Sequence, residues 1–387
     1  MSVQFEKAKP EDYGDVIDFG NYVFSHAHIP HDFPLMLPKL YKREYFMDGI
    51  HYLAREDGRI RAVAGAYPLE MQVPGDVLPG RGIGMVSVHP YYRSRGFMKA
   101  LINMALEDMR REGMVFSCLS GQRQRYEYFG YAPIGLAFRF ECRAANINHT
   151  LGCQFKTGLS LRRVSGGDRA LLDYLYAMHE SKPVRILRRR EKFFDIVSSW
   201  KSLALAIMEG QHIAGYLLYN PNKKCIHEIT LEDSSRAAEC IGLFLQAGEG
   251  SRDGVTVEVQ PWEREKIGAF SRFAESYSIR PAYSFAVFDY RRFILPFLKL
   301  KSSLRALPGG TFTLQIEGGP RLALGVSGGE VSAPETREPA DLSLKPVEAL
   351  GFLFSADYAA GSAVIGGNPF LQSLLPLPLS LEAADEV

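Results

Sequence analysis

Cysteine is scarce and unpatterned in this chain. Its five residues, Cys118, Cys142, Cys153, Cys225 and Cys240, are widely spaced, odd in number and free of any Cys-x-x-Cys pair. That argues against a disulfide framework and for reduced thiols in a cytosol. Long apolar runs are missing too: nothing approaches the roughly 20 residues a bilayer requires, and the opening Met1-Ser2-Val3-Gln4-Phe5-Glu6-Lys7 has no apolar signal region. Nor is there an excess of one charge. Lys and Arg number 45 against 44 Asp and Glu, a net +1, so no global field gathers nucleic acid or an acidic membrane. These absences agree with a soluble, cytoplasmic enzyme, the mixed order of strands and helices along the chain is that of an α/β fold, and 387 residues are too many for one core, so two or three domains are expected.

Two local clusters are set aside by the same reasoning. The basic run Arg185-Ile186-Leu187-Arg188-Arg189-Arg190-Glu191-Lys192 reads as a solvated helix start, not a nucleic-acid surface. His26-Ala27-His28-Ile29-Pro30-His31-Asp32 has ligand types for zinc, but Pro30 makes it a loop without the i, i+4 spacing of a helical site, so no metal is expected.

The most informative segment is Val86-Ser87-Val88-His89-Pro90-Tyr91-Tyr92-Arg93-Ser94-Arg95-Gly96-Phe97-Met98-Lys99-Ala100. A β-branched strand ends at a proline, and a basic turn then opens directly into a helix with Phe97, Ala100, Leu101, Met104, Ala105 and Met109 on one face. Such a turn leaves backbone N–H groups pointing outward at the positive end of the helix dipole, where a pyrophosphate can sit without a metal. Gly96 keeps a Cβ away from the phosphate oxygens, and Arg93 and Arg95 add charge-assisted hydrogen bonds. The residues from Arg93 through Ser94, Arg95, Gly96, Phe97 and Met98 to Lys99 are therefore the candidate cradle.

The run V-x-V-x-P-x-x-R-x-R-G resembles the cofactor-binding motif of the GCN5-related N-acetyltransferases, and the bulky pair Phe97-Met98 is similar to the subgroup typified by the enhanced intracellular survival (Eis) proteins. A second resemblance lies one strand on, in Tyr126-Glu127-Tyr128-Phe129-Gly130-Tyr131. It implies that Tyr126 is the general acid that protonates the departing CoA thiolate. A phenol with an ordinary pKa near ~10 stays protonated at neutral pH and can donate to a thiolate whose conjugate acid lies near ~8.5. The resemblance also implies a tandem of two acetyltransferase folds with mixed central sheets, closed by a sterol-carrier-protein-like α+β domain.

On that reading residues 1–149 form the catalytic unit, 150–290 a degenerate copy and 291–387 the C-terminal unit. In the first, the Asp57-Gly58 turn joins two strands, and a last strand is expected over residues 136–142. The middle repeats the order hairpin, strand, helix, strand, but Glu232-Asp233-Ser234-Ser235 stands where the basic turn should be. An acidic start caps a helix and repels a pyrophosphate. The last unit is read from Gly/Pro turns separating short strands, with a helix over residues 346–358.

Acetyl-CoA is the expected cosubstrate, its pantetheine pairing with the edge of Val86-Ser87-Val88 and the N–H of Val86 or Val88 polarising the thioester carbonyl. Gly121 and Gln122 are expected on the opposite wall. In the resembled subgroup the base is the terminal carboxylate, which assigns Val387, with Glu386 as an adjacent acidic group expected to favour cationic substrates. The apolar, proline-stiffened approach from Leu374 to Val387 suits docking better than a frayed end. The expected reaction is direct acetyl transfer to a primary amine of aminoglycoside, polyamine or lysine-like type, in a homo-oligomer (trimer or hexamer) by resemblance. A lipid carrier and a non-catalytic acetyl-CoA sensor are the rival readings.

Overall fold

Asp57 and Gly58 both take positive φ, 53° and 72°, so the chain reverses within two residues and joins strand His51–Glu56 to strand Arg59–Val73. In this computed structural model, which describes residues 3–27, 29–152, 156–248 and 254–387, that hairpin nucleates an eight-stranded sheet. Its order is Val3–Lys7, His51–Glu56, Arg59–Val73, Asp76–Val88, Phe116–Leu119, Tyr283–Val287 and Ala132–Ile134, with Arg185–Ile186 added beside Arg59–Val73. All neighbours are antiparallel except Asp76–Val88 with Phe116–Leu119. Helix Phe97–Arg111 connects that parallel pair, as a crossover must. It buries Phe97, Leu101, Ile102, Ala105 and Met109 against one sheet face, each large side chain contributing about 1.5–3 kcal/mol of transfer free energy.

A second sheet of seven strands runs Ser276–Arg280, Ala137–Cys142, Val255–Val259, Cys225–Leu231, His212–Asn220, Leu203–Glu209 and Leu159–Arg163. Its strands match the hairpin, strand, helix, strand order of the sequence reading. The sheets, however, exchange strands. Ala137–Cys142 does not finish the first sheet, as its position in the sequence suggests; it pairs with Val255–Val259 and Ser276–Arg280 in the second. Tyr283–Val287, from the end of the second unit, fills the vacated place between Phe116–Leu119 and Ala132–Ile134. The chain crosses between sheets at Gly135 (φ 86°), where only a glycine fits: a Cβ would lie 2.8 Å from the Leu379 carbonyl oxygen.

The C-terminal unit has a four-stranded sheet, Glu330–Ser332, Arg321–Ser327, Gly310–Ile316 and Leu342–Leu344. Helix Tyr290–Leu304 packs Phe293 and Phe297 against Phe354 and, through Phe116 and Phe285, joins the first sheet's other face in one hydrophobic core. The expected helix over 346–358 is broken at Ser355 into Pro346–Phe354 and Ala356–Gly361. Among the described residues no helix is long and apolar enough to cross a membrane. Cys118, Cys142, Cys225 and Cys240 are buried free thiols; Cys153 and His28 lie outside the described residues.

Candidate active site

The two parallel strands of the first sheet pair only from Gly80 with Phe116 to Ile83 with Leu119. Beyond Ile83 the strand Asp76–Val88 runs on without that neighbour, and the gap becomes a cleft of about 1090 Å³. A bulge aims its backbone: Met85 takes φ 50°, where the pairing with Arg59–Val73 shifts register. Past it alternation resumes. The His89 N–H donates to the Arg61 carbonyl at 2.9 Å, so the Ser87 N–H points the same way and those of Val86 and Val88 point into the cleft.

At the far end of this edge the turn has two positive-φ residues, Ser94 (63°) and Gly96 (79°), which curl successive amides into a concavity. Gly96 is the N-cap of helix Phe97–Arg111 and no side chain caps its first turn, leaving those donors for a ligand. Arg93 and Arg125 line the cleft, and neither has an ion-pair partner among the described residues. Arg95 departs from the sequence reading. Its guanidinium is committed to Glu56, at 2.6 and 3.2 Å, and stacks on Tyr92 and Phe97, so only its backbone is free for an anion. Lys99 donates to the Tyr128 hydroxyl at 2.5 Å. Met98 leans on the core beneath the helix.

Tyr126 closes helix Arg123–Tyr126 on the opposite wall. Its ring is 8% exposed and packs edge-on to Tyr131 at 6.4 Å. Burial pushes its phenol above the ordinary pKa, with Arg125 opposing, which keeps the proton on. Gly121 (φ 143°) makes room for it, because a Cβ there would lie 2.6 Å from the Tyr126 ring. Cys118 is fully buried and burial pushes its thiol up; it is a core residue, not a nucleophile.

The C-terminal segment enters the same cleft from the other side. Val387 is 9% exposed and rests on a face of strand Asp76–Val88 stripped of side chains by Gly82 and Gly84. A Cβ on Gly82 would lie 2.5 Å from the Val387 side chain, and one on Gly84 3.4 Å from its carbonyl carbon. Tyr283 donates to the Val387 oxygen at 3.5 Å. Lys39 donates to the carbonyls of Ala384 (2.6 Å) and Glu386 (2.5 Å), and burial lowers its pKa to about 8. Upstream, Glu382 and Asp385 are bound by Arg188 at 3.2 and 2.9 Å, and Lys182 joins Glu382 (2.6 Å) to Glu228 (2.7 Å).

Only the end of the basic run is a solvated helix start, exposed Arg189 and Arg190 opening the helical turn Arg190–Lys192. Arg185–Ile186 is a strand, and Arg188, 3% exposed, is the hub that ties the C-terminal segment to the second sheet. His179, Glu228 and Glu382 form the one cluster of metal-ligating types among the described residues; Arg188 and Lys182 already neutralise its carboxylates. In the loop after the first helix, Asp32 caps helix Phe33–Met36 through the Leu35 N–H, and the His31 N–H donates to Ser25.

The sequence-predicted cofactor-binding and catalytic residues line this single cleft: Val86 to Val88, Arg93 to Lys99, Gly121, Gln122, Tyr126 and Val387; Glu386 instead lines a separate cavity with Lys223 and Glu258, so it gives this cleft no charge for a cationic substrate. Residues 4–134 match the model of an acetyltransferase (GNAT) domain. Likeness to solved structures runs along the whole chain: a GCN5-related N-acetyltransferase from Kribbella flavida matches with TM-score 0.64 and 17% identity over 100% of both chains. A probable N-acyltransferase from Enterococcus faecalis gives 0.68 and 15% over 100% of both, and Eis1 from Mycobacterium abscessus 0.63 and 13% over 100% of both. No curated protein matches in sequence. The domain match supports acetyltransferase chemistry in residues 4–134, and the solved structures show a shared fold.

Sequence reasoning missed Lys39, Arg188, Tyr283 and the glycine row. One signal was available: Gly80-Arg81-Gly82-Ile83-Gly84 strips one face of a strand, which marks close approach by other chain.

Proposed function

We propose that the cleft transfers the acetyl group of acetyl-CoA directly to a primary amine in a ternary complex. The observation that carries this reading is the unpaired edge from Gly84 to Val88, which leads at one end to the amide cradle and faces Tyr126 across the gap. Pantetheine extends the sheet along that edge, and the diphosphate rests on the amides from Arg93 to Lys99. The thioester carbonyl oxygen accepts from the N–H of Val86 or Val88, which stabilises the oxyanion as the amine nitrogen attacks. The amine gives its extra proton to the Val387 carboxylate. When the C–S bond breaks, the Tyr126 phenol donates its proton to the sulfur.

The second unit binds no cosubstrate, and residues 291–387 act as a sterol-carrier-like support whose apolar residues, among them Phe312, Leu314, Phe352 and Leu353, are consumed in the shared core. That favours a structural role over lipid carriage. Resemblance to the Eis-like subgroup adds a cytoplasmic homo-oligomer, a trimer or hexamer, checked by light scattering. Calorimetry with acetyl-CoA followed by thiol release across aminoglycosides, polyamines and lysine-like amines tests the reaction. Intersecting initial-rate patterns are expected; parallel lines would overturn direct transfer. Binding without turnover of any amine would mark a sensor, and copurified acyl chains without acetyl-CoA binding a lipid carrier.

A further inference from the structure

The acceptor half of the cleft is short of negative charge. Among the described residues, no Asp or Glu side chain lines the cleft, and its unpaired charged side chains, Arg93 and Arg125, are cations on the cosubstrate side. What the acceptor half offers is aromatic surface. Phe24 meets Phe33 edge-on at 5.0 Å, and Phe33 meets Tyr41 at 4.8 Å. Trp200 completes the wall at a backbone cost: it takes φ 58°, ψ 27°, a left-handed conformation that is unfavourable for a bulky residue by about 1–3 kcal/mol. The Asn220 amide, donating to the Trp200 carbonyl at 3.1 Å, holds it there. Nearby in the chain, Ile29 and Leu35 are exposed by 67% and 68%.

A polycation entering here would shed water from several ammonium groups and find one carboxylate, that of Val387. A single ammonium on a flat apolar body loses hydration only at the nitrogen that reacts, and buries the rest against rings. We propose that the acceptor is a monoamine on an aromatic or similarly flat apolar body, seated among Phe24, Phe33, Tyr41 and Trp200, and that polyamines and aminoglycosides are discriminated against. This rests on the acetyl-transfer reading above and narrows its acceptor.

The test is steady-state acetylation of phenethylamine, butylamine, spermidine and kanamycin by the full chain, with acetyl-CoA binding measured separately by calorimetry. The expected kcat/KM for phenethylamine exceeds that for spermidine and kanamycin at least tenfold. Trp200→Ala, which keeps a Cβ at the left-handed position, is expected to raise KM for phenethylamine about tenfold with kcat within twofold, and to raise KM for butylamine less. Ala27→Asp places a carboxylate on the exposed end of the first helix at the cleft and is expected to move the spermidine to phenethylamine ratio up about tenfold. Equal or better turnover of spermidine or kanamycin overturns the proposal and leaves acetyl transfer standing. Acetyl-CoA binding with no amine acetylated overturns it as well, whereas no acetyl-CoA binding overturns the acetyl-transfer reading itself.

Discussion

The molecule holds the same arrangement twice, and only one copy is open. In the first sheet the parallel pairing stops at Ile83 and Leu119; in the second it stops at Ile226 and Val257. In both, a strand runs on past the pairing and a helix follows. The first strand leads to Arg93-Ser94-Arg95-Gly96 and an uncapped helix start. The second leads to Glu232 and Asp233, and Asp233 itself accepts from the Ser235 N–H at 2.9 Å. Its gap is also filled, because Lys266, 4% exposed, donates to the Ile229 carbonyl and pairs with Glu263. A splayed pair of strands is thus not in itself a site. It becomes one when the backbone donors and acceptors along the gap are left unmatched by the protein's own side chains.

The largest effect expected from breaking the open copy is at Tyr126. Tyr126→Phe should lower kcat about 1000-fold with acetyl-CoA affinity unchanged by calorimetry; unaltered turnover would remove the acid assignment. Gly82→Val pushes a side chain into the space of Val387, and a displacement of that size is expected to cost about 100-fold in kcat, read from single-turnover rates. Arg93→Glu puts a negative charge beside the amide cradle and should weaken acetyl-CoA binding about 10- to 100-fold without altering the thermal midpoint.

On the closed copy the expected change is in stability alone. Lys266→Met leaves the Ile229 carbonyl without its donor and should cost about 1–3 kcal/mol in denaturant titrations; a second acetyl-CoA bound by this variant would end the contrast between the two sheets. A purely pH-dependent effect is expected at Glu386, whose carboxyl burial raises from 4.5 to about 7. The folded chain keeps this proton where the unfolded chain has lost it, so the contribution is full below pH 4.5 and gone as the pH climbs past about 7. Glu386→Gln stays neutral throughout, so its Tm relative to the parent should rise across that window; a constant difference from pH 4 to 8 would show that the carboxyl is not buried.

Much of the catalytic unit was legible because its signals are local. The basic turn, the stripe from Phe97 to Met109 and the Asp57-Gly58 hairpin each combine backbone propensity with hydrophobic period inside a window of about 18 residues. The strand exchange was not legible, since the alternation of residues 137–142 suits a strand of either sheet. Which sheet they join depends on the crossing at Gly135 and on contacts with strands more than 100 residues later in the chain. Arg188 and Arg95 were misread for the same reason: a run of basic residues does not show which of them will find a buried carboxylate.

By itself, the sequence determined that this chain would make a basic helix start with uncapped amides, and that its second sheet would be followed by an acidic, capped one. Charge and glycine at fixed positions dictate both through short-range backbone geometry. Only the tertiary structure decided what stands across the gap. Bringing Tyr126, Trp200 and Val387 to one cleft takes two interlocked sheets and a buried ion network anchoring the C-terminal segment, contacts whose partners are tens to hundreds of residues apart.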